Sequence, residues 1–178
     1  MLRTHDFRNG PVPDTPEEIF AEIGCRLVLL QDLEAFINFV TRVVFESDPA
    51  KAKEAILKSD KKTMGQLLHL LRKKVSIQDG FDTVLKRVLD SRNIFIHEFS
   101  YRFDLKSKDG ISEAVKYLLH SMDDLAEVSN VMKAAIVEYG KERGIHDPYL
   151  EASWRKHGDL EKIETVYIPK VAKTFGDK

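Results

Sequence analysis

The sequence has a single cysteine and no long apolar run. Cys25 cannot form an internal disulfide, and its apolar helical surroundings predict a small buried side chain. No apolar stretch approaches the roughly 20 residues that cross a bilayer, so no membrane partner is expected. The first residues carry no apolar core of a signal peptide, and we therefore expect a cytoplasmic protein.

Motifs of several enzyme classes are also missing. His, Cys and carboxylate residues nowhere have zinc-site spacing, and neither a phosphate-binding glycine loop nor a serine nucleophile elbow occurs. The sequence therefore predicts neither a metal nor a cofactor. Asp123 and Asp124 are interpreted as part of a solvated face, and His69 and His120 as helix-side histidines and not ligands.

The net charge of −1 conceals an uneven distribution. Residues 51–108 hold 14 Lys or Arg against 7 Asp or Glu, whereas the remainder holds 14 against 22. A local positive field can concentrate phosphates on a slightly acidic protein. Solvated helix faces and a lysine-rich loop explain the same charges equally well.

Capping residues and apolar periodicity predict an all-α fold. Thr15, followed by Pro16 and Glu18, is typical of a helix start, and Asp48 and Thr63 are placed to cap two further helices. The predicted helices cover about 16–46, 49–58, a short segment after Thr63, 81–103 and 111–142. Short links between them predict an antiparallel bundle of four to five helices.

The chain is divided into three parts by this pattern. Residues 1–14 form an irregular lead-in, 15–144 the helical bundle and 145–178 a C-terminal extension. In the extension we predict a short helix around Trp154 and an extended segment at 166–168. An arm packed on the body or on a second subunit, and a frayed terminus, both remain open.

The predicted 81–103 helix carries one arginine among apolar residues. On a wheel with about 100° per residue, Arg92 falls in the middle of the apolar stripe. The stripe consists of Phe81, Leu85, Val88, Phe95, Ile96, Phe99 and Phe103. Because a buried arginine cannot lose its proton, Arg92 must meet a carboxylate, a ligand phosphate or a wet cavity.

Asn93 and His97 lie four residues apart, at one edge of this stripe. Arginine holds a phosphate bidentately, histidine exchanges a proton near neutral pH, and asparagine orients the imidazole or the substrate. No metal is required if the 2′-hydroxyl of RNA is the nucleophile. The segment 92–97 therefore points to phosphodiester chemistry.

The segment resembles the motif of HEPN domains, in which an arginine and a histidine flank four residues, the first of them polar and often Asn. Arg92, Asn93 and His97 occupy these positions. Residues 63–67 also resemble a helix-start element that precedes the motif helix in some HEPN-like bacterial proteins. The resemblance covers about residues 16–140 and leaves the extension outside it.

The resemblance implies a homodimer whose two motifs meet across a cleft. It also implies a metal-independent endoribonuclease or RNA-binding protein of a toxin–antitoxin or other defence system, with an antitoxin protein as a further partner. Arg92 would bind the phosphate, Asn93 would position the imidazole or the substrate, and His97 would transfer the proton. One HEPN group has a modified tyrosine two residues after the histidine. That position is Phe99 here, so the resemblance does not extend to this control.

Two other interpretations stay open. In the first, the chain is a non-catalytic interaction or regulatory protein, and Arg92 is a core residue paired with Glu34 of the first helix. In the second, the chain binds a nucleotide without hydrolysing it.

Overall fold

The computed structural model describes residues 12–46, 48–57, 62–144 and 159–177. In these ranges the chain is an all-α helical bundle with one small two-stranded sheet, as the fold-class prediction requires. The helices are α1 (Pro16–Phe39), α2 (Pro49–Leu57), α3 (Met64–Lys74), α4 (Asp79–Asn93), α5 (Phe99–Arg102), α6 (Lys108–Arg143), α7 (Asp159–Lys162) and α8 (Ile168–Thr174). The strands are β1 (Val75–Ile77) and β2 (Phe175–Asp177).

Three π-helical turns continue the α-helices in the described residues. They cover Val40–Val44 after α1, Ile94–Glu98 after α4 and Ile163–Tyr167 after α7. With these turns included, the predicted long helices at 16–46 and 81–103 are confirmed to within a few residues. None of the described helices has both the length and the apolar character that crossing a bilayer needs.

The helix starts follow the predicted capping residues. The Thr15 hydroxyl accepts a hydrogen bond from the Glu18 amide at 3.3 Å, and the Asp48 carboxylate accepts one from the Ala50 amide at 2.9 Å. Thr63 and Gln66 form a reciprocal capping box at the start of α3. Gly144 ends α6 with φ of 63°, a conformation that favours glycine.

The C-terminal extension differs from its prediction. Residues 166–168 are helical and not extended, because Ile163 and Tyr167, four residues apart, bury one helical face. The following residues form β2, which pairs antiparallel with β1 in the register Val75 with Asp177. The predicted helix around Trp154 lies outside the described residues.

The described residues form two compact units. The first contains 12–32 and 86–126, and the second contains 33–46, 48–57, 62–85, 127–144 and 159–177. In the second unit, the Phe175 ring packs against Phe45 and Phe81, with centroids 5.1 and 5.7 Å apart. Lys170 donates to Glu127, so the C-terminal segment is held by apolar and ionic contacts together.

In the first unit, α1 buries an arginine that the sequence interpretation passed over. Ile19, Ile23 and Leu30 line the inner face, and the fourth inner residue is Arg26, which is only 2% exposed. Cys25, predicted to be buried, is exposed because it lies about 100° around the helix from Arg26. The burial prediction for Cys25 was therefore wrong.

Gly110, in the first turn of α6, is expected to tolerate no side chain. A Cβ atom there would lie 2.1 Å from the backbone oxygen of Asp104, which cannot rotate away. We expect Gly110→Ala to lower the free energy of unfolding by about 1–3 kcal/mol in urea titrations. Gly24→Ala is the control, because a Cβ at this exposed α1 position meets nothing within 4 Å. Equal stability of the two variants would contradict the expectation.

Candidate functional site

The predicted site residues lie where α4 passes into its π turn. Arg92 and Asn93 are the last residues of α4, and both are half-buried. His97 is in the π turn and is exposed. The fold therefore presents the imidazole at the surface, a short distance along the helix from the guanidinium and the amide.

The predicted position of Arg92 in the middle of the stripe was wrong. Ser91 is buried next to it, whereas Ile96, assigned to the stripe, is 44% exposed. The α-helical wheel fails at Ile96 because this residue lies in the π turn, where each residue rotates the chain by less than 100°. Arg92 precedes the turn and is half-buried, so it lies at the edge of the apolar face and not in its middle.

The buried line instead runs through Ser91, Phe95, Phe99 and Phe103, each four residues after the last. On a regular α-helix four-residue steps drift by about 40° each, or about 120° over this line. Tyr117 of α6 nevertheless contacts all four. Its hydroxyl donates to the Ser91 hydroxyl at 3.1 Å, and the three Phe rings lie 5.4 to 6.5 Å from its ring. The π turn offsets part of this drift, which is consistent with one residue of α6 contacting all four.

Arg102 completes this aromatic cluster of Tyr117 and the three Phe rings. Its guanidinium carbon lies 5.5 Å from the centroid of the Tyr117 ring, a cation–π distance. Tyr117 thus contacts residues before, within and after the π turn. These contacts hold the inner side of the π turn against α6. The side chains on its outer side are oriented as a result.

The π turn also changes the relation between Arg92 and His97. Residues five apart on an α-helix lie about 140° apart around the axis. Arg92 lies two residues before the π turn that contains His97, and each residue of the turn rotates the chain by less than 100°. The angle between the two residues is therefore smaller than on a regular α-helix.

A second line of residues with four-residue spacing faces away from the aromatic cluster. Asn93, His97 and Tyr101 form this line, which we call the motif line. Exposure rises along it, from half-buried Asn93 to Tyr101, which is 91% exposed. Sequence reasoning identified the first two members as site residues but not Tyr101.

Another polar cluster of the first unit joins α4 to α6. Arg87 donates to both carboxylate oxygens of Asp124 at 2.7 and 2.6 Å, and this contact raises the pKa of Arg87. The His120 imidazole lies 3.8 Å from the same carboxylate. Asp124 is buried, so its interpretation as part of a solvated face was wrong. The bidentate geometry accounts for the burial of this charge.

The electrostatic surroundings of the motif are moderately basic. Residues 86–108, which carry it, include six Lys or Arg against three Asp or Glu. In the described part of the chain, no group of three or more His, Cys, Asp or Glu side chains is placed to hold a metal ion. The arginine and lysine side chains of this segment are positive charges that can anchor a phosphate near the motif.

Tyr117 gives a pH-dependent test of the aromatic cluster. Burial raises its pKa above the ordinary 10.0, although the hydrogen bond with Ser91 and the charge of Arg102 act the other way. The folded state therefore favours the neutral phenol. The stability that the raised pKa of Tyr117 contributes is fully present below pH 10.0, and it is lost as the pH rises through the pKa of the folded state.

Urea unfolding is measured at neutral pH and again above pH 10.0. We expect the free energy of unfolding to fall less between these two conditions for Tyr117→Phe than for the wild type. At neutral pH the variant should be about 1 kcal/mol less stable, because the hydrogen bond to Ser91 is gone. Parallel losses in the two proteins above pH 10.0 would show that the Tyr117 hydroxyl is not buried as described.

Comparison with known proteins adds no relative. No protein-family model matches the chain, and neither a curated protein nor a solved structure matches it significantly. The resemblance to HEPN domains therefore rests on Arg92, Asn93 and His97, on their place late on a long helix, and on the helix-start element at 63–67.

Proposed function

We propose that this chain is a HEPN-type RNA-binding protein that cleaves RNA without a metal ion. One observation carries the proposal. His97 is exposed in a π turn that begins directly after Arg92 and Asn93 on the same helix. π turns inside α-helices are frequent at functional sites. An exposed imidazole five residues after a guanidinium supplies the two kinds of group that phosphodiester cleavage uses.

In the proposed reaction the RNA supplies its own nucleophile. The 2′-oxygen attacks the adjacent phosphorus, the new O2′–P bond forms, and the bond from phosphorus to the 5′-oxygen of the next nucleotide breaks. One histidine accepts the 2′-hydroxyl proton and another donates a proton to the leaving oxygen. The products are a 2′,3′-cyclic phosphate and a free 5′-hydroxyl.

Arg92 and Asn93 have supporting roles in this proposal. Arg92 makes an interaction within the folded chain, but a guanidinium has five N–H donors and can hold a phosphate as well. There it would neutralise the charge that develops on the phosphate oxygens. Asn93, four residues before His97, would orient the imidazole or the substrate.

The proposal includes a homodimer in the cytoplasm. One chain offers one motif histidine, whereas the reaction uses a base and an acid, so two copies facing each other supply both groups. This pairing is what the HEPN resemblance implies, and an antitoxin protein that covers the paired motifs belongs to the same proposal.

A cleavage assay on a broad RNA panel in EDTA tests the proposal. We expect wild-type protein to cut at least one RNA, and a 2′-deoxy substitution at the cut nucleotide to block cleavage because the nucleophile is gone. Cleavage that needs an added metal, or that survives the deoxy substitution, would contradict the mechanism. Absence of cleavage across the panel would contradict the nuclease assignment.

The second candidate function is a non-catalytic interaction protein. It is favoured by Arg92 itself, which is half-buried and engaged within the fold, as a structural arginine would be. It predicts that Arg92→Ala lowers the melting temperature, because the groups that Arg92 contacts in the fold are left without its positive charge. An Arg92→Ala variant with unchanged melting but lost RNA cleavage would rule this function out.

A further inference from the structure

The most exposed large apolar side chain among the described residues is Tyr101, and it lies beside the motif. It is 91% exposed, and it follows His97 by four residues on the motif line. At about 1.5 Å per residue, the two side chains start about 6 Å apart along the axis. The Tyr101 ring is therefore within reach of a nucleotide-sized ligand held at His97.

The surroundings of Tyr101 favour a nucleic acid as that ligand. Arg102 is exposed next to it, while Ile96, also exposed, adds an apolar surface on the flank of the motif line. Aromatic rings beside positive charges bind single-stranded nucleic acids, because the ring stacks on an unpaired base and the cation meets the backbone. A paired base in an RNA duplex is already stacked and cannot be reached in this way.

We propose that Tyr101 stacks on an unpaired base next to the phosphate held at His97, which makes single-stranded RNA the substrate class. This inference rests on the proposed RNA-binding function of the same site. Tyr101 is then a specificity residue: it selects unpaired nucleotides, while proton transfer remains with His97.

The test uses the full-length protein and a short single-stranded RNA made uncleavable by 2′-deoxy substitution and labelled with 2-aminopurine. We expect wild-type protein to quench the label by stacking. Tyr101→Ala should lose the quenching and bind about 5- to 100-fold more weakly, the usual effect of losing one stacked base. Tyr101→Phe should keep both, because stacking needs only the ring.

Tyr139→Ala, a change at a tyrosine of the second unit, is the matched control and should bind like the wild type. Equal affinity of Tyr101→Ala and Tyr101→Phe would overturn the inference. So would a loss of binding by Tyr101→Ala that follows a loss of dimers in sedimentation, since the ring would then contact a second copy of the chain.

The assay separates this inference from the proposed nuclease. If quenching depends on Tyr101 but no RNA is ever cut, the stacking assignment stands and the catalytic one fails. If RNA is cut in a His97-dependent way and Tyr101→Ala leaves both affinity and the preference for single strands unchanged, the catalytic assignment stands and Tyr101 has no such role.

Discussion

His97→Ala is expected to slow RNA cleavage by about 100- to 10,000-fold, the usual loss when a general acid or base is removed. In the proposed dimer the change removes both the base and the acid, so the larger value is the expectation. Because His97 is exposed, the substitution should leave the free energy of unfolding within about 0.5 kcal/mol of the wild type. Initial rates on one cleaved RNA, together with a urea titration, provide both numbers.

His120→Ala is the matched control for this experiment. His120 is also an exposed histidine on a helix of the first unit, but it lies beside Asp124 and not in the motif. We expect its cleavage rate to stay within about two-fold of the wild type, because it takes no part in the proposed proton transfer. Equal losses in the two variants would mean that neither histidine is specific to the chemistry.

Arg26→Ala is expected to produce the largest loss of stability, about 3–5 kcal/mol and a melting temperature lower by on the order of 10 °C. Arg26 donates to the Glu22 carboxylate at 2.8 Å and to the backbone oxygen of Leu118 at 3.3 Å. Burial lowers the pKa of Arg26, and the contact with Glu22 keeps it charged. Alanine leaves a cavity and removes the donor from both oxygens.

Arg26→Met separates the two parts of that loss. Methionine fills much of the same volume, so it avoids most of the cavity, but like alanine it leaves the Glu22 carboxylate and the Leu118 oxygen without their donor. We therefore expect a clearly smaller loss than with alanine, measured by calorimetry at neutral pH. Equal losses, or an alanine variant as stable as the wild type, would contradict the assignment of Arg26 as a buried structural arginine.

The parts of the fold that were predicted from the sequence depend on local interactions. Thr15, Asp48 and Thr63 cap helices because their side chains reach amides two or three residues away, which the sequence shows directly. Pairing of β1 with β2 joins residues about 100 positions apart, and three residues per strand leave no alternation to read. The short sheet was therefore missed.

The same contrast explains the errors at the site. The argument that a cation on an apolar stripe must have a partner was sound, but it applied best to Arg26, which continues the spacing of Ile19, Ile23 and Leu30. The sequence analysis did not consider Arg26. For Ile96 the α-helical wheel was the wrong geometry, because this residue lies in a π turn that the sequence analysis did not predict.

Mass spectrometry of the RNA ends made in EDTA by the wild-type protein tests the central claim most directly. If Arg92, Asn93 and His97 form a metal-independent cleavage site, the ends are a 2′,3′-cyclic phosphate and a 5′-hydroxyl, and His97→Ala produces neither. Ends with a 3′-hydroxyl and a 5′-phosphate, or the same products from His97→Ala, would contradict the account.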